Sequence, residues 1–173
     1  MLIDGTPPAA PDDLLARLEE LGIACRTRSH PPVFTVEQAK ALRGEIPGAH
    51  TKNLFVRDKK GAMWLVVALE DRAIDLKALH VILGTKRLSF GSPRRLMEYL
   101  GVVPGAVTPF AVINDHGGHV RVALDRGLLA FELWSFHPLD NHMTTTLEGA
   151  ALIRFLEAEA HPPVFVDFGT PGD

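Results

Sequence analysis

Seven consecutive apolar residues, Met63-Trp64-Leu65-Val66-Val67-Ala68-Leu69, follow the shorter apolar run Leu54-Phe55-Val56 across a polar, glycine-containing connection, Arg57-Asp58-Lys59-Lys60-Gly61. Neither run approaches the roughly 18 residues of a membrane helix. A connection of hairpin character between two such runs predicts two adjacent antiparallel strands. The chain is thereby committed to a sheet, and its other segments must supply further strands and a cover.

Helical patterns provide the cover. Pro11-Asp12-Asp13 opens a segment with Leu14, Leu15, Leu18 and Leu21 on one face, acids at its positive end and Gly22 behind it. Thr35-Val36-Glu37-Gln38 matches the capping box that starts a second helix. A third helix is expected over 74–83, closed by Gly84. A fourth starts at Ser92-Pro93 and carries Leu96, Tyr99 and Leu100. The last has Leu147, Ala151, Leu152, Phe155 and Leu156 at helical spacing and ends at Pro162-Pro163. Further strands are expected over 23–27, 88–90, 111–113, 120–124, 128–136 and 164–166, with 114–118 joining the 111–113 and 120–124 pair. Gly101 to Pro109 is too rich in glycine and proline for a helix and reads as a structured loop. The fold class is therefore α+β, with a mixed, largely antiparallel sheet and packed helices. No linker divides the 173 residues, so a single domain over 1–173 is expected. His-Pro-Pro-Val-Phe occurs at 30–34 and 161–165 in different contexts, and the recurrence is taken as chance.

Lys and Arg number 18 against 21 Asp and Glu, giving a net charge of −3, so no sequence-wide basic field exists and any nucleic-acid contact must be local. DNA is not an expected partner. Met1-Leu2-Ile3-Asp4-Gly5 lacks the basic start and apolar core of a signal peptide, so a cytoplasmic location away from membranes is expected. The single cysteine, Cys25, excludes an internal disulfide and any multi-cysteine metal site; a small buried hydrophobe is its simplest role. There is no Walker loop, no Gly-x-Gly-x-x-Gly and no Gly-x-Ser-x-Gly. His116 and His119 straddle a Gly-Gly turn, and His137 and His142 lack a third ligand nearby, so neither a metal nor another cofactor is expected.

Three segments retain chemical interest. In His50-Thr51-Lys52-Asn53, Lys52 and Asn53 precede an apolar strand, either as ordinary solvated residues or as side chains facing a pocket at a sheet edge. Gly105-Ala106-Val107-Thr108-Pro109 is either a tight connection or a loop whose amides point at a ligand. The stretch from Trp134 to Thr146 carries His137 and a run of hydroxyls, which also serve as helix caps.

In this order and spacing, Ser29-His30-Pro31-Pro32-Val33-Phe34-Thr35, Thr51-Lys52-Asn53-Leu54-Phe55, Gly105-Ala106-Val107-Thr108-Pro109-Phe110 and Phe136-His137-Pro138-Leu139 resemble the prolyl-tRNA synthetase-associated editing domains. The nearest likeness is to the free-standing bacterial Ala-tRNA(Pro) deacylases, and it covers nearly the whole chain. The resemblance implies a trans-editing hydrolase that cleaves the ester between alanine and the terminal adenosine. Its partners would be the alanine-bearing acceptor end of tRNA(Pro) and a prolyl-tRNA synthetase. It also implies that Lys52 is the residue on which hydrolysis depends. The loop of Gly105, Ala106, Val107, Thr108 and Pro109 would shape the aminoacyl pocket, with Asn53 and His137 orienting ester or ribose. One departure stands out: relatives tend to carry Asn-Thr-Ala-Thr-Thr where this chain has Asn141-His142-Met143-Thr144-Thr145. Lys59, Lys60, Lys86, Arg87, Arg94 and Arg95 are either phosphate contacts for the acceptor stem or ordinary solubility charge. Two other readings are a deacylase for tRNA mischarged with cysteine or serine, and a module that binds tRNA or a synthetase without catalysis.

Overall fold

The computed structural model describes residues 1–32, 37–38, 41, 44 and 46–168. In chain order its elements are α1 (Pro11–Glu20), β1 (Cys25–Ser29), β2 (Ala49–Asp58), β3 (Met63–Leu69), α2 (Leu76–Leu83), β4 (Leu88–Phe90), α3 (Pro93–Leu100), β5 (Val120–Asp125), β6 (Leu133–Phe136), β7 (Met143–Glu148), α4 (Gly149–Ala158) and β8 (Val164–Val166). Two 3₁₀ segments, Pro109–Asn114 and Arg126–Ala130, interrupt this order. The Thr35 capping box lies outside the described residues.

The expected hairpin forms the middle of an eight-stranded sheet. β2 and β3 pair antiparallel from Thr51↔Leu69 to Arg57↔Met63. The strand order is β1-β7-β6-β2-β3-β5-β8, with β4 also on β2. Among the described residues four pairings are antiparallel and three parallel, so the sheet is mixed as the sequence implies. At the turn of the hairpin, Asp58 accepts from the amides of Lys60, Ala62 and Lys86. Those three bonds hold the carboxyl below its usual range against the effect of burial.

One face of the sheet carries the main core. Phe55, Leu65, Val67, Trp134, Phe136 and Leu147 meet Leu14 and Leu18 of α1, Leu96 and Leu100 of α3, and Leu152, Phe155 and Leu156 of α4. On the opposite face Val56, Trp64, Val66 and Ala123 pack with Leu79 of α2 and Leu88. β3 is therefore covered on both sides, which is why it reads as an unbroken apolar run rather than an alternating one. The second core stops at the middle of the sheet. Beyond it, the face of β6 and β7 opposite the main core is polar, with Ser135, Thr144 and Thr146.

Three local expectations are corrected. Residues 111–113 form no strand: Pro109 opens a 3₁₀ turn there, and Thr108 Oγ1 caps it by accepting from the Phe110 amide. The 128–136 segment is strand only from Leu133, because Asp125 caps the Arg126–Ala130 turn through the Gly127 amide. The hydroxyl run at 144–146 is not a helix cap but the body of β7. There Thr145 pairs with Thr27 and Thr146 with Ser135, hydroxyl to hydroxyl, at 2.8 Å each.

Candidate active site

β2 carries the site because one of its edges is only partly occupied. β3 fills one edge; on the other, β6 meets Ala49 and His50 while β4 meets Val56 to Asp58. No described strand pairs with that edge between these stretches. The bond from the Gly91 amide to the Phe55 carbonyl closes the opening at one end. The bond from Thr51 Oγ1 to the Ser135 carbonyl, 3.1 Å, closes it at the other. Main-chain groups alternate in direction along a strand, so those of Asn53 point the same way as those of Phe55, into this opening.

Lys52 and Asn53 are both half-buried, and the same alternation places them on opposite faces. Asn53 lies across from Val67, on the main-core face; Lys52 lies across from Ala68, on the face of His50. The sequence left open whether these side chains face a pocket at a sheet edge; the structure sets them on opposite faces of the strand, beside the opening.

The orientation of the Asn53 amide follows from its bonds. Thr51 spends its hydroxyl proton on the Ser135 carbonyl, so its oxygen can only accept, and the Asn53 atom 3.3 Å from it is the donor Nδ2. Oδ1 is then turned away, and it is buried without a hydrogen-bond partner. An orphaned carbonyl oxygen of this kind costs about 1–3 kcal/mol and is a ready acceptor for an N–H or O–H.

His137 follows β6 directly, and its register carries it to the face of Lys52. Its Nδ1 donates to the Met143 carbonyl at 2.9 Å, which leaves Nε2 as a lone-pair acceptor. Burial, together with nearby His30, pushes its pKa below the ordinary histidine value despite the Met143 bond. The His30 ring lies 6.2 Å away. Its Nδ1 donates to the Pro31 carbonyl, and Nε2 accepts from the Thr144 hydroxyl at 2.7 Å. His30 and Thr144 thus adjoin the candidate site, and sequence reasoning did not single them out. The Pro-Pro pair after His30 and the strand propensity of the threonines were the available signals.

The loop of 105–109 approaches from the main-core side. Gly105 is exposed at φ +93°, and a Cβ there would come no closer than 3.5 Å to Asn141 Nδ2. It therefore meets the connection between β6 and β7. Ala106 and Pro109 are buried, Thr108 is fully enclosed with its hydroxyl engaged as a cap, and Val107 is half-buried. Of the five expected pocket residues, Gly105 and Val107 remain open to a ligand, while the other three hold the loop in place. Leu139, in the β6–β7 connection, has φ +68°, a strained value for a leucine. Of the departures at 142 and 143, His142 is exposed and bonds Asp140 at 2.8 Å, and Met143 lies opposite Ser29 on the main-core face. Among the described residues no group of three or more His, Cys, Asp or Glu could hold a metal, and no helix is long and apolar enough to cross a membrane.

The family model described as an aminoacyl-tRNA editing domain matches residues 30–155. The chain is 39% identical over 149 residues to the prolyl-tRNA editing protein ProX of Acetoanaerobium sticklandii, covering 86% of this chain and 91% of that protein. It is 37% identical over 161 residues to prolyl-tRNA synthetase associated domain-containing protein 1 of Xenopus laevis, covering 90% and 95%. A crystal structure assigned to a trans-editing enzyme for prolyl-tRNA synthetase superposes with a TM-score of 0.69 at 18% identity, over 93% of this chain and 99% of that one. At that identity the likeness speaks to the fold.

Proposed function

Because the chain belongs to the aminoacyl-tRNA editing domain family, we propose that it removes alanine from mischarged tRNA(Pro) in trans. It is a hydrolase of the aminoacyl ester. Alanine is smaller than proline, so a pocket built for proline cannot shut it out sterically, and a lost methylene is worth only about 1–3 kcal/mol. A second site that accepts only the smaller residue corrects the error.

The observation that carries this reading is the opening along β2, flanked by Lys52 on one face and the orphaned Asn53 Oδ1 on the other. Water attacks the ester carbonyl, a tetrahedral oxyanion forms, and the bond to the ribose oxygen breaks, releasing alanine and the tRNA hydroxyl. Lys52 supplies positive charge to the terminal nucleotide or the developing oxyanion. Asn53 Oδ1 accepts from the α-ammonium group. His137 Nε2 accepts from a ribose hydroxyl, which in turn positions the water. Gly105 and Val107 bound the space beside the alanine methyl group. The name of the Acetoanaerobium relative supports the prolyl-tRNA part of this reading.

Initial rates on tRNA(Pro) charged with alanine or proline, and on tRNAs charged with cysteine or serine, test it. The alanyl ester is hydrolysed and the prolyl ester spared. Lys52→Ala lowers the alanyl rate at least about tenfold, or about 1.4 kcal/mol, with an unchanged circular dichroism spectrum. A preference for cysteine or serine moves the substrate; tight binding without hydrolysis makes the protein a binding module.

A further inference from the structure

From the groove beside the polar face, we infer that Arg26 and Arg28 of β1 grip the phosphates of the single-stranded 3′ end of the substrate tRNA. This rests on the deacylase reading of the Lys52 site and extends it to the path by which the nucleic acid reaches that site.

A groove of about 700 Å³ runs along the edge of the sheet, lined in part by Arg26, Arg28, Thr144 and Thr146. β1 is the terminal strand and pairs only with β7 among the described strands, placing Arg28 across from Thr144 and Arg26 across from Thr146. The four side chains share one face. Thr144 also bonds His30, whose ring lies 6.2 Å from that of His137, so this end of the groove lies beside the candidate site. Both arginines are exposed. Two residues of strand separate them by about 6.6 Å, an interval close to that between successive phosphates of an extended single strand. The groove changes sign at its far end, where Glu148 closes β7. Phosphates are therefore favoured in the half nearest His30. In a chain of net charge −3, such a local pair supplies what the whole molecule lacks.

Three of the six basic residues that the sequence offers either as phosphate contacts or as solubility charge lie far from the groove. Lys59, Lys60 and Lys86 gather around Asp58, at the other end of β2 from Lys52 and roughly 20 Å along the strand.

The test compares the wild-type chain with Arg26→Ala/Arg28→Ala and Arg26→Lys/Arg28→Lys. It measures binding of uncharged tRNA(Pro) across a salt series and kinetics on alanylated tRNA(Pro). The alanine pair raises Kd and KM at least about tenfold with kcat at saturation unchanged. Its log–log salt dependence is shallower by about 1.4, two single-strand contacts at about 0.7 each. The lysine pair recovers most of the affinity. Hydrolysis of the alanyl ester of adenosine, which carries no phosphate, is the same in all three. Unchanged affinity and salt slope in the alanine pair, or an equal loss on alanyl-adenosine, overturns the inference. Arginine-dependent binding by a chain that hydrolyses no aminoacyl ester upholds the groove and overturns the deacylase reading; deacylation whose KM ignores both arginines does the reverse.

Discussion

Asn53 shows how a single side chain can be held in readiness. Thr51 and the Ser135 carbonyl dictate how its amide is turned, and the acceptor left over has no hydrogen-bond partner among the described residues. Folding alone gains nothing from that atom. Asn53→Ala should therefore leave the thermal midpoint unchanged or raise it, while deacylation of alanyl-tRNA falls at least about tenfold. Parallel melting curves and initial rates decide: a large loss of stability with normal activity would make Asn53 a structural residue. The sequence marked Asn53 and Lys52 as interesting but not how they are disposed. With the strand read as starting at Leu54, their alternation had no frame. β2 in fact begins five residues earlier, at Ala49, and its first half is polar because that half borders the opening. A pattern method looks for apolar residues there and finds chemistry instead.

Among the elements, the start of β5 and the approach to β8 are tied by a buried pair. Asp115 accepts from the amides of His119 and Val120 and bonds His161 Nε2 at 2.8 Å. Burial works against charge on both partners. For His161 the Asp115 bond and the Glu159 carbonyl outweigh it and raise the pKa; for Asp115 the His161 bond and the two amides outweigh it and lower the pKa. The raised histidine contributes stability that is complete below its unfolded value of about 6.5 and is lost as pH rises through the folded value. The lowered aspartate contributes above about 3.9 and fades as pH falls through its folded value. The difference in thermal midpoint between the wild type and His161→Gln should accordingly be large near pH 6 and shrink steadily on the alkaline side. A constant difference would mean the pair acts by packing alone. Element types were legible where caps and apolar faces agreed, as at Ser92, whose side chain accepts from the Arg95 amide, and at Gly84, which ends α2 at φ +70°. They were hidden where one residue type serves two structures. Ala111-Val112-Ile113 is a short apolar run that fits a strand or a buried turn equally well. The threonines of β7 cap helices as readily as they line strands.

At the scale of the molecule, the sheet has one side devoted to stability and another divided between stability and function. The main core is continuous from α1 to α4, whereas the opposite core ends near β2, and the polar ground beyond it holds His137, His30 and the groove. The α+β class and mixed sheet were readable because hairpin, helices and turns each left local marks. The strand order was not, since β1 joins β7 across more than a hundred residues and no local signal encodes that partnership. The position of β2 between β3, β4 and β6 has an evolutionary consequence. A strand pinned by three partners counts residues, and removing one from its first half would exchange the surfaces to which Lys52 and Asn53 are presented. Side chains along it can drift through selection, but its length cannot. Alignment of many relatives should show insertions and deletions collecting in the connections and sparing the stretch equivalent to 49–58, so that descent in this family is recorded there as substitution without any change of measure.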